Sequence, residues 1–465
     1  MDARWTRSVS KVDSSGSRIK LGVAQVAPRQ DWRASLPFFY GWFIVGASFV
    51  SLGLTYTVWY SFSVFYVALL EEFGWSRAAS AGIFSLFVVV VGIASAGAGA
   101  LADRFGPGKV VSVGVTILAA GLLACSRVEE LWQFYLAFGV LAAVGVSASG
   151  WISCVTMVNR WFSARLGLAL GIASAGIGVG ILVMVPLTQV LISAVGWTTT
   201  FVALAAVIFA GVAPIALFVL RGRPEDLGLL RDGRRTAQGL QEKPPAAPAV
   251  RLSRIVDRAW AERSWTVGAA MRTRRYWFIG LMLYLNNTAT QMVFVHQVAF
   301  LADGGYDKLL AASIVGLVGF FSVGAKVGWG WVSDRLGREL AWTMGLATLL
   351  LAIVVLILTR FVAFPALIYL FAVLFALGYG ASAPLGPAVA ADVFAGRHFG
   401  AVYGTILIAN GLGSATGAWF AGYAFDLTGS YLFAFGCAAV SSLLSAGVVW
   451  VVGPSRVRRV AGRAK

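Results

Sequence analysis

The sequence predicts an all-α integral membrane protein with twelve transmembrane helices in two pseudo-symmetric halves of six. Three observations support this prediction. Hydrophobic residues make up 59% of the 465 residues and charged residues only 12%, whereas soluble domains are about 25% charged. Twelve apolar segments are each long enough to cross a hydrocarbon core about 30 Å thick. The last six of these segments also repeat features of the first six.

Two polar tails and one polar linker divide the chain. We place a tail at 1–37, an N-terminal half at 38–220, a linker at 221–275, a C-terminal half at 276–453 and a tail at 454–465. No short apolar region with a cleavage site precedes the first span, so we expect that span to direct its own insertion. The predicted spans are 38–70, 77–101, 109–126, 131–158, 166–194, 197–220, 276–302, 309–332, 340–359, 364–390, 398–424 and 430–453.

Basic residues are distributed unevenly between the two sides of the predicted bundle. Short loops rich in Lys and Arg face the cytoplasm, and the loops on the side of both termini carry more of them. We therefore expect both termini in the cytoplasm, in a plasma membrane or a bacterial inner membrane. The residues counted are Arg104, Lys109, Arg160, Arg165, Arg335, Arg338 and Arg397 on the predicted cytoplasmic side, and Arg77, Arg127, Lys308 and Arg360 on the opposite side.

The composition also excludes several functions. The net charge of +17 is mainly a topology signal with some attraction to anionic lipid, and we predict no nucleic-acid partner. The sequence contains no GxxxxGK[ST] phosphate loop and no His cluster, so an ATP-driven pump, a metal site and a cofactor are not predicted. Cys125, Cys154 and Cys437 lie far apart in apolar segments, which predicts no disulfide framework.

The linker ends in a segment with an apolar and a basic side. RLSRIVDRAWAER (251–263) places its apolar residues on one face of a helix and its arginines on the other. This pattern fits a helix lying on the membrane surface or, equally, a linker helix docked on the protein.

The two halves repeat at nearly constant spacing. Asp103 and Asp334 lie in similar loops, and five glycines of the first half recur in the second half at a single constant offset. Two related halves imply a central cavity with a site near the bilayer midplane, and small residues let transmembrane helices approach closely. The glycine pairs are Gly145 and Gly378, Gly167 and Gly400, Gly171 and Gly404, Gly178 and Gly411, and Gly180 and Gly413.

The loops after predicted spans 2 and 8 share the pattern G-x-x-x-D-R-x-G, in GALADRFGPGK (99–109) and GWVSDRLGR (330–338). The pattern resembles the signature loop of the major facilitator superfamily, whose fold consists of two six-helix halves. The resemblance implies a gating role for Asp103, Arg104, Asp334 and Arg335. The aspartates would accept hydrogen bonds from helix N-termini and arginines, and so hold one conformation shut on the cytoplasmic side.

Six further segments look like the monocarboxylate transporter family and its bacterial relatives, which include oxalate/formate exchangers. The resemblance implies a secondary transporter of small carboxylates that works by alternating access, as a proton symporter or an anion exchanger. We expect it to function as a monomer. The segments are YGWFIVGASFVSLGLTYTVWYSFSVFY, EEFGWSR, NRWFSARLGLALGIASAG, AAMRTRRYWF, VHQVAFLADGGY and KVGWGWVSDRLGR, in that order along the chain.

Lys326 is the one formally charged residue that we place in the interior of a predicted span, since Arg77 and Lys109 stand at the first positions of spans 2 and 3. It occupies the position in span 8 where the family carries a cation, usually arginine. An ammonium group persists in a membrane only if it faces a wet cavity or an anion, so the resemblance implies that Lys326 binds the substrate carboxylate. Alternatively, the loop is only about 10 Å away along the helix, and the side chain could extend to the membrane surface.

The sequence departs from the family at three places. Ser322 stands where the monocarboxylate branch often has an aspartate, and Tyr60 where that branch may have a lysine. Span 11 lacks the lysine of the oxalate exchangers. One cation favours a monovalent anion, and all 20 acidic residues fall in predicted tails or loops. Proton coupling would therefore use Lys326, His296 or the proton of the substrate.

The other candidate substrate contacts are polar side chains within the spans: Tyr56, Tyr60, Asn287, Gln291 and Asn410. Asn287 and Gln291 share a helix face. The alternative is that such groups only form hydrogen bonds between helices, since polar groups need partners in lipid. His296, near the outer end of span 7, either senses external pH or is a hydrogen-bonded interfacial histidine.

Two other functions stay open at this point. The first is export of hydrophobic compounds on the same fold, although the absence of acidic residues from the predicted spans argues against cationic drugs. The second is a transporter-like sensor, for which the polar tails and linker offer little signalling structure.

Overall fold

The computed structural model of the chain describes residues 8–12, 18–22, 39–162, 166–220, 224, 254–362, 364–396 and 398–459. It does not describe the side chains of residues 8–12, 18–22, 103, 167 and 254. Near the N-terminus two strands, β1 (Ser8–Val12) and β2 (Arg18–Gly22), pair antiparallel in a tail for which the sequence predicted no strands. The rest of the described chain is almost entirely α-helical.

The first three spans are single helices separated by short turns. Ser76 caps the second helix by accepting a hydrogen bond from the backbone N–H of Ala79, as a serine at this position commonly does. Pro107 begins the third helix, where its missing N–H costs nothing. The helices are α1 (Gly41–Phe73), α2 (Arg77–Phe105) and α3 (Pro107–Cys125).

The fourth span, α4, consists of four consecutive helical segments. A π-helical stretch lies in its first part, and Gly150, whose backbone is not helical, interrupts its second part. These breaks are typical of helices that bend. The segments are Leu131–Phe134, Tyr135–Ala142, Ala143–Ser149 and Trp151–Trp161.

The fifth and sixth spans follow one another with a single residue between them. The helical stretch Leu166–Pro214 contains one non-helical residue, Gly196, with φ 81° and ψ 163°. This positive φ is unfavourable for a residue with a Cβ atom, so glycine marks the break between α5 (166–195) and α6 (197–214). A short π-helix, Ile215–Val219, continues α6.

Six helices form the second half: α7 (Arg274–Asp303), α8 (Lys308–Leu336), α9 (Arg338–Leu358), α10 (Ala366–Phe394), α11 (Phe399–Thr428) and α12 (Leu432–Val452). Gly337 between α8 and α9 has φ 100°, and Gly106 between α2 and α3 has φ 90°. Both are the last glycine of the repeated G-x-x-x-D-R-x-G pattern. That glycine is needed because the turn into the next helix adopts a positive φ.

The helices confirm the predicted all-α membrane fold. Ten helices among the described residues are long and apolar enough to cross a membrane. One of them, which includes both α5 and α6, is broken at Gly196, and α11 is a further 30-residue helix that is rich in glycine and less apolar. Together these helices account for the twelve predicted spans.

Close backbone contacts within each half obey the same symmetry as the sequence. A Cβ at Gly145 would lie 2.5 Å from the backbone nitrogen of Leu118, and a Cβ at Gly378 would lie 2.7 Å from that of Leu349. A Cβ at Gly180 would similarly collide with Gly53, and a Cβ at Gly413 with the carbonyl oxygen of Tyr284. Leu118 and Leu349 are separated along the chain by the same interval as Gly53 and Tyr284, so the two halves pack in the same way.

The surroundings of Gly167 lie outside the described part, and the other repeated glycines divide into two groups. Gly178 lies against Val323 of the opposite half, where a Cβ would collide with the valine side chain. No heavy atom lies within 4 Å of a Cβ built at Gly171, Gly400, Gly404 or Gly411. The predicted role of the glycines in close helix contact is therefore confirmed at five positions and wrong at these four.

The predicted helix over 251–263 is wrong in extent. Only one turn, Arg258–Ala261, is helical, and Asp257 caps it by accepting from the backbone N–H of Trp260. Just before this turn, β3 (Arg254–Ile255) pairs with β4 (Arg458–Arg459) of the C-terminal segment. The backbone groups that would have extended the helix are therefore bonded to another part of the chain. A second short helix, Val267–Met271, precedes α7.

At one residue the structure agrees with the second alternative for this segment, a linker docked on the protein. Trp260 Nε1 donates a hydrogen bond to the carbonyl oxygen of Val393 at 2.8 Å, and its ring lies 4.5 Å from that of Trp265. The side chain of Trp260 is thus attached to α10.

Two glycines of α11 give a matched test of the packing. We expect Gly413→Ala to lower the stability of the folded protein by about 1–3 kcal/mol, because its Cβ would collide with the backbone of Tyr284. Gly411→Ala, two positions earlier and in open space, should be neutral or stabilising by up to about 1 kcal/mol. Thermal unfolding in detergent measures both, and equal effects of the two substitutions would contradict the close contact.

Candidate functional site

Lys326 lies on α8 beside a group of aromatic side chains. It is half-buried, and its Nζ atom lies 5.7 Å from the centre of the Tyr379 ring on α10. The helices approach closely here, since a Cβ at Gly380 would lie 2.7 Å from the Cβ of Ala325. Among the described residues, no carboxylate or hydrogen-bond acceptor contacts the ammonium group.

A hydrogen bond between two tyrosines joins the halves next to this lysine. The hydroxyl groups of Tyr60 on α1 and Tyr379 on α10 lie 2.6 Å apart. Phe294 on α7 packs against both rings, with ring centres 5.3 Å from Tyr60 and 6.0 Å from Tyr379. We call Lys326, Tyr60, Tyr379 and Phe294 the central cluster; it contains residues of both halves.

Tyr56 extends the aromatic surface along α1. Its ring lies 6.4 Å from the ring of Tyr60 and 6.2 Å from that of Trp59. It faces the break in α4, where a Cβ at Gly150 would lie 3.3 Å from Tyr56 Cε2. The structure therefore brings Tyr56 and Tyr60 together as neighbours, with Tyr60 the one that reaches the second half.

The predicted amide residues form a separate polar group within the second half. Asn287 on α7 donates a hydrogen bond from Nδ2 to Asn410 Oδ1 on α11, and Ser414 donates to Asn287 Oδ1 at 3.3 Å. Gln291, one turn after Asn287, is buried, and its Oε1 has no hydrogen-bond partner within the described part of the chain. The described contacts do not connect this group to Lys326.

Ser322, one turn before Lys326, does not point a free hydroxyl into the central cluster. It is buried, and its Oγ donates to the carbonyl oxygen of Gly319 on the same helix at 2.7 Å. Ser322 therefore satisfies its own polar group within α8.

The end of the bundle that carries the two signature loops, here called the loop face, contains a network within the second half. Arg338 at the start of α9 donates to Asp334 at 2.8 Å and to Asp392 at the end of α10 at 3.0 Å. Arg335 instead lies over the Trp331 ring at 3.8 Å, and Arg104 over the Phe105 ring at 5.1 Å. The side chain of Asp103 lies outside the described part.

The opposite end, here called the Arg77 face, holds the two halves together. Arg77 at the start of α2 forms an ion pair with Asp303 at the end of α7, with 2.7 Å between Nη1 and Oδ2. Lys308 at the start of α8 pairs with Glu71 near the end of α1 at 2.6 Å. The hydrogen bonds and ion pairs that join the two halves, among described residues, lie at the Arg77 face or nearer the centre of the bundle.

His296 lies towards the Arg77 face and not beside Lys326. It is fully buried, its Nε2 lies 2.8 Å from the carbonyl oxygen of Ala418, and its Nδ1 lies 3.2 Å from the Tyr431 hydroxyl. The Tyr66 ring meets it edge-on, with ring centres 5.1 Å apart. The hydrogen-bonded histidine that the sequence left open is thus the arrangement observed.

Sequence reasoning missed Tyr379, Phe294, Asp392 and the acidic partners of Arg77. Tyr379 and Phe294 are aromatic residues in apolar spans, where the sequence does not distinguish a cavity-lining ring from a lipid-facing one. Arg77 was counted only as a loop charge. Its partner Asp303 lies 226 residues away, and one sequence does not reveal that contact.

Comparison with known proteins places this architecture in a family. The family model of the Major Facilitator Superfamily matches residues 48–363 and, a second time, 278–465. The chain belongs to the Major Facilitator Superfamily. It is therefore a multi-pass membrane transporter and not an enzyme.

Curated relatives of this transporter narrow the resemblance. It is 28% identical to monocarboxylate transporter 13 of Rattus norvegicus over 414 residues, covering 88% of each chain. It is 22% identical to monocarboxylate transporter 2 of Homo sapiens, over 89% of this chain and 85% of the relative. An uncharacterised MFS-type transporter of Bacillus subtilis, YcxA, is 23% identical over 84% of this chain and 90% of its own.

Solved structures of transporters have the same fold. The nucleoside transporter NupG superposes with a TM-score of 0.68 at 13% identity, over 89% of this chain and all of NupG. A bacterial homologue of the human lysosomal transporter Spinster, in an inward-facing and occupied conformation, superposes with a TM-score of 0.65 at 14% identity, over 91% of this chain and 98% of the homologue. At 13% and 14% sequence identity, these structural similarities show a shared fold and nothing more.

The loop-face network predicts unequal roles for two neighbouring arginines. Arg338→Ala should destabilise the protein by about 1–3 kcal/mol, because Asp392 and Asp334 would lose their donor in a half-buried place. Arg335→Ala removes a stack on an exposed tryptophan and should cost less than about 1 kcal/mol. Thermal unfolding in detergent distinguishes the two, and a larger effect of Arg335→Ala would contradict the network.

Proposed function

We propose that this transporter moves a small organic anion, a monocarboxylate, across the membrane by alternating access between its two halves. The carboxylate binds at the central cluster, with Lys326 as its cationic partner. Tyr56, Asn287, Gln291 and Asn410 are proposed to line the remainder of the pathway. The coupled process is either proton symport or anion exchange.

The observation that carries this proposal is the ammonium group of Lys326 without a protein carboxylate. A buried charge is costly unless it is paired or solvated, and within a membrane protein such a group commonly marks a substrate path. The acidic residues of the described spans lie near the helix ends, such as Glu71, Asp303 and Asp392. An anionic substrate would therefore supply the negative charge that no described carboxylate supplies to Lys326.

The tyrosine pair offers a second contact for the same carboxylate. One hydroxyl of the Tyr60–Tyr379 pair donates to the other, which leaves the second hydroxyl proton free to donate elsewhere. A carboxylate has two oxygens, so one can accept from Lys326 and the other from this hydroxyl. Phe294 closes the apolar side against both rings, which suits the short apolar chain of a small acid.

The position of the pair also relates binding to the movement of the halves. Tyr60 belongs to the first half and Tyr379 to the second, so an anion bound between their hydroxyls and Lys326 touches both halves. The halves are in contact at the Arg77 face through ion pairs. With both termini in the cytoplasm, as the loop charges predict, this conformation is closed to the outside.

The names of the curated relatives support the substrate class. Monocarboxylate transporters 13 and 2 align over most of their length with this chain. One cation in the described centre favours a monovalent acid over a dicarboxylate. An exporter of hydrophobic compounds would have no use for an unpaired ammonium group at this position.

Removal of the cation tests the proposal directly. Lys326→Ala should reduce uptake of short radiolabelled monocarboxylates into proteoliposomes by about tenfold to a hundredfold, because a hydrogen bond to a charged group contributes about 1.5–3 kcal/mol. Lys308→Ala, which removes an exposed lysine, is the matched control and should keep wild-type uptake. Carboxylate uptake by Lys326→Ala at the wild-type rate would refute the assignment.

A second measurement separates the coupling modes. Proton symport predicts that an inward proton gradient drives uptake into empty vesicles, whereas exchange predicts uptake only into vesicles loaded with an anion. If the proton is carried by Lys326, Lys326→Arg should lose the pH dependence, since arginine stays protonated. Full activity of Lys326→Arg with an unchanged pH profile would exclude lysine deprotonation as the coupling step.

A further inference from the structure

The Arg77 face contains a buried histidine and an ion-pair cluster that the central site does not use. We propose that Arg77, Asp303 and Asp426 form the gate that closes this face, and that protonation of His296 releases it. The inference rests on the proposed transport function, because a transporter must open this face once per cycle. Its test measures the conformation and not the transport, so the two can fail separately.

Arg77 is held by three helices of the opposite half. Its two Nη atoms donate to both carboxylate oxygens of Asp303 on α7 at 2.7 and 3.0 Å. Nη1 also donates to the hydroxyl of Tyr431, the N-cap residue of α12, at 2.7 Å. Its Cζ atom lies 3.7 Å above the Phe425 ring on α11. A two-pronged ion pair of this kind is strong and geometrically specific, so it resists separation of the halves.

The side chain of Asp426 binds backbone N–H groups in the first turn of α2. Its two carboxylate oxygens accept hydrogen bonds from the backbone N–H groups of Arg77 and Ala78, both at 2.8 Å. The first N–H groups of a helix lack partners within the helix, and a negative charge is favoured there. The helices are too close at this point for a side chain at Gly422, whose Cβ would lie 2.5 Å from the carbonyl oxygen of Arg77.

His296 is connected to Arg77 through one hydroxyl group. The carbonyl oxygen of Ala418 can only accept, so Nε2 of His296 carries a proton and donates to it. In the neutral ring Nδ1 is then an acceptor, and the Tyr431 hydroxyl donates to it while accepting from Arg77. The donors thus run from Arg77 to Tyr431, then to His296 and Ala418, and every group in this chain has a partner when His296 is neutral.

A proton on Nδ1 breaks this order. Both Arg77 and His296 would then donate to the one Tyr431 oxygen, and the Tyr431 proton would be left with the neighbouring Tyr66 hydroxyl as its acceptor. The guanidinium and imidazolium charges would also be separated by a single oxygen in a buried place, where like charges repel strongly. The protein can relieve this conflict by withdrawing Arg77 from Tyr431, which is a step in opening the gate.

The other titratable groups around His296 do not cancel the added charge. Tyr66 on α1 meets the imidazole edge-on and donates its hydroxyl proton to the carbonyl oxygen of Arg77. Asp303 on α7 and Asp426 on α11 are engaged by Arg77 and by the N-terminus of α2. Neither carboxylate contacts the histidine in the described structure, so an imidazolium there has no carboxylate in contact.

The direction of the pH effect follows from these contacts. The closed gate requires neutral His296, so a rise in pH favours closure and a fall in pH favours opening. If one proton is linked to opening, the open-to-closed ratio rises up to about tenfold for each unit by which the pH falls, within the range in which His296 titrates. With the predicted orientation, acid outside would open the gate to the outside.

Distance measurements between spin labels on the two halves test this proposal. Labels at Glu72→Cys on α1 and Leu427→Cys on α11 lie at exposed ends of the Arg77 face, and Cys437→Ser removes the one native thiol that is not buried. In nanodiscs, electron–electron double resonance should show a growing long-distance population as the pH falls from about 8 to about 4. This range extends below that of exposed histidines because His296 is fully buried beside a cation.

Three variants make the test specific. His296→Gln keeps a donor for Ala418 and an acceptor for Tyr431 but takes up no proton, so its distances should not vary with pH. Tyr431→Phe removes the link between His296 and Arg77 and should also abolish the pH dependence of the distances. It tests the same step if His296→Gln fails to fold. Arg77→Lys loses the two-pronged pair and should show the long-distance population already at neutral pH.

Lys308→Ala is the matched control, because it removes the other cross-half ion pair, whose side chains are 43% and 57% exposed. Exposed pairs contribute little, so its distances and pH response should equal those of the wild type. A wild-type pH response in His296→Gln or in Tyr431→Phe would overturn the role of the histidine. Unchanged neutral-pH distances in Arg77→Lys would overturn the gate.

Discussion

An ammonium group inside a membrane protein must be solvated by water or paired with an anion, because hydrocarbon does neither. Lys326 stands under this constraint, and the described protein offers it an aromatic ring and no carboxylate. The neighbouring hydroxyl pair of Tyr60 and Tyr379 is likewise a polar contact between halves that otherwise meet mainly through apolar and backbone atoms. The proposed substrate contacts and one of the polar contacts that join the halves therefore lie side by side.

The contrast between packing inside the halves and packing between them makes movement physically reasonable. Inside each half, glycines such as Gly145 and Gly378 bring helix backbones into direct contact, and such contacts leave little room for rearrangement. Between the halves, the described polar contacts are few and include the tyrosine pair, a hydrogen bond from Ser85 to the carbonyl oxygen of Ala415, and the Arg77 cluster. Rigid units joined by a small number of separable contacts suit a rocking motion.

The fold could be predicted because membranes restrict helix length and polarity so strongly. Span length, loop charge and the repeated loop pattern identified the helices, and even the boundary at Gly196 fell between two predicted spans. The site was less accessible to prediction. The sequence identified Lys326 by its charge, but not Tyr379 or Phe294, since the direction of an aromatic ring on an apolar helix depends on tertiary packing. It also assigned a helix to residues whose backbone bonds go to β4, a strand near the far end of the chain.

Helix α7 connects the proposed substrate site with the proposed gate. Phe294 on this helix touches both tyrosines of the central cluster, His296 two positions later lies behind the gate, and Asp303 at its end holds Arg77. Residues two apart on a helix point in nearly opposite directions, so α7 presents one side to the substrate region and the other to the gate. An α-helix moves as a rigid rod over this length, and a shift of Phe294 on substrate binding would displace His296 and Asp303 with it. Substrate and proton would then act on the same gate through one element. In this proposal, occupancy of the centre and opening of the Arg77 face would be linked through α7, without a carboxylate among the described residues in the middle of the membrane.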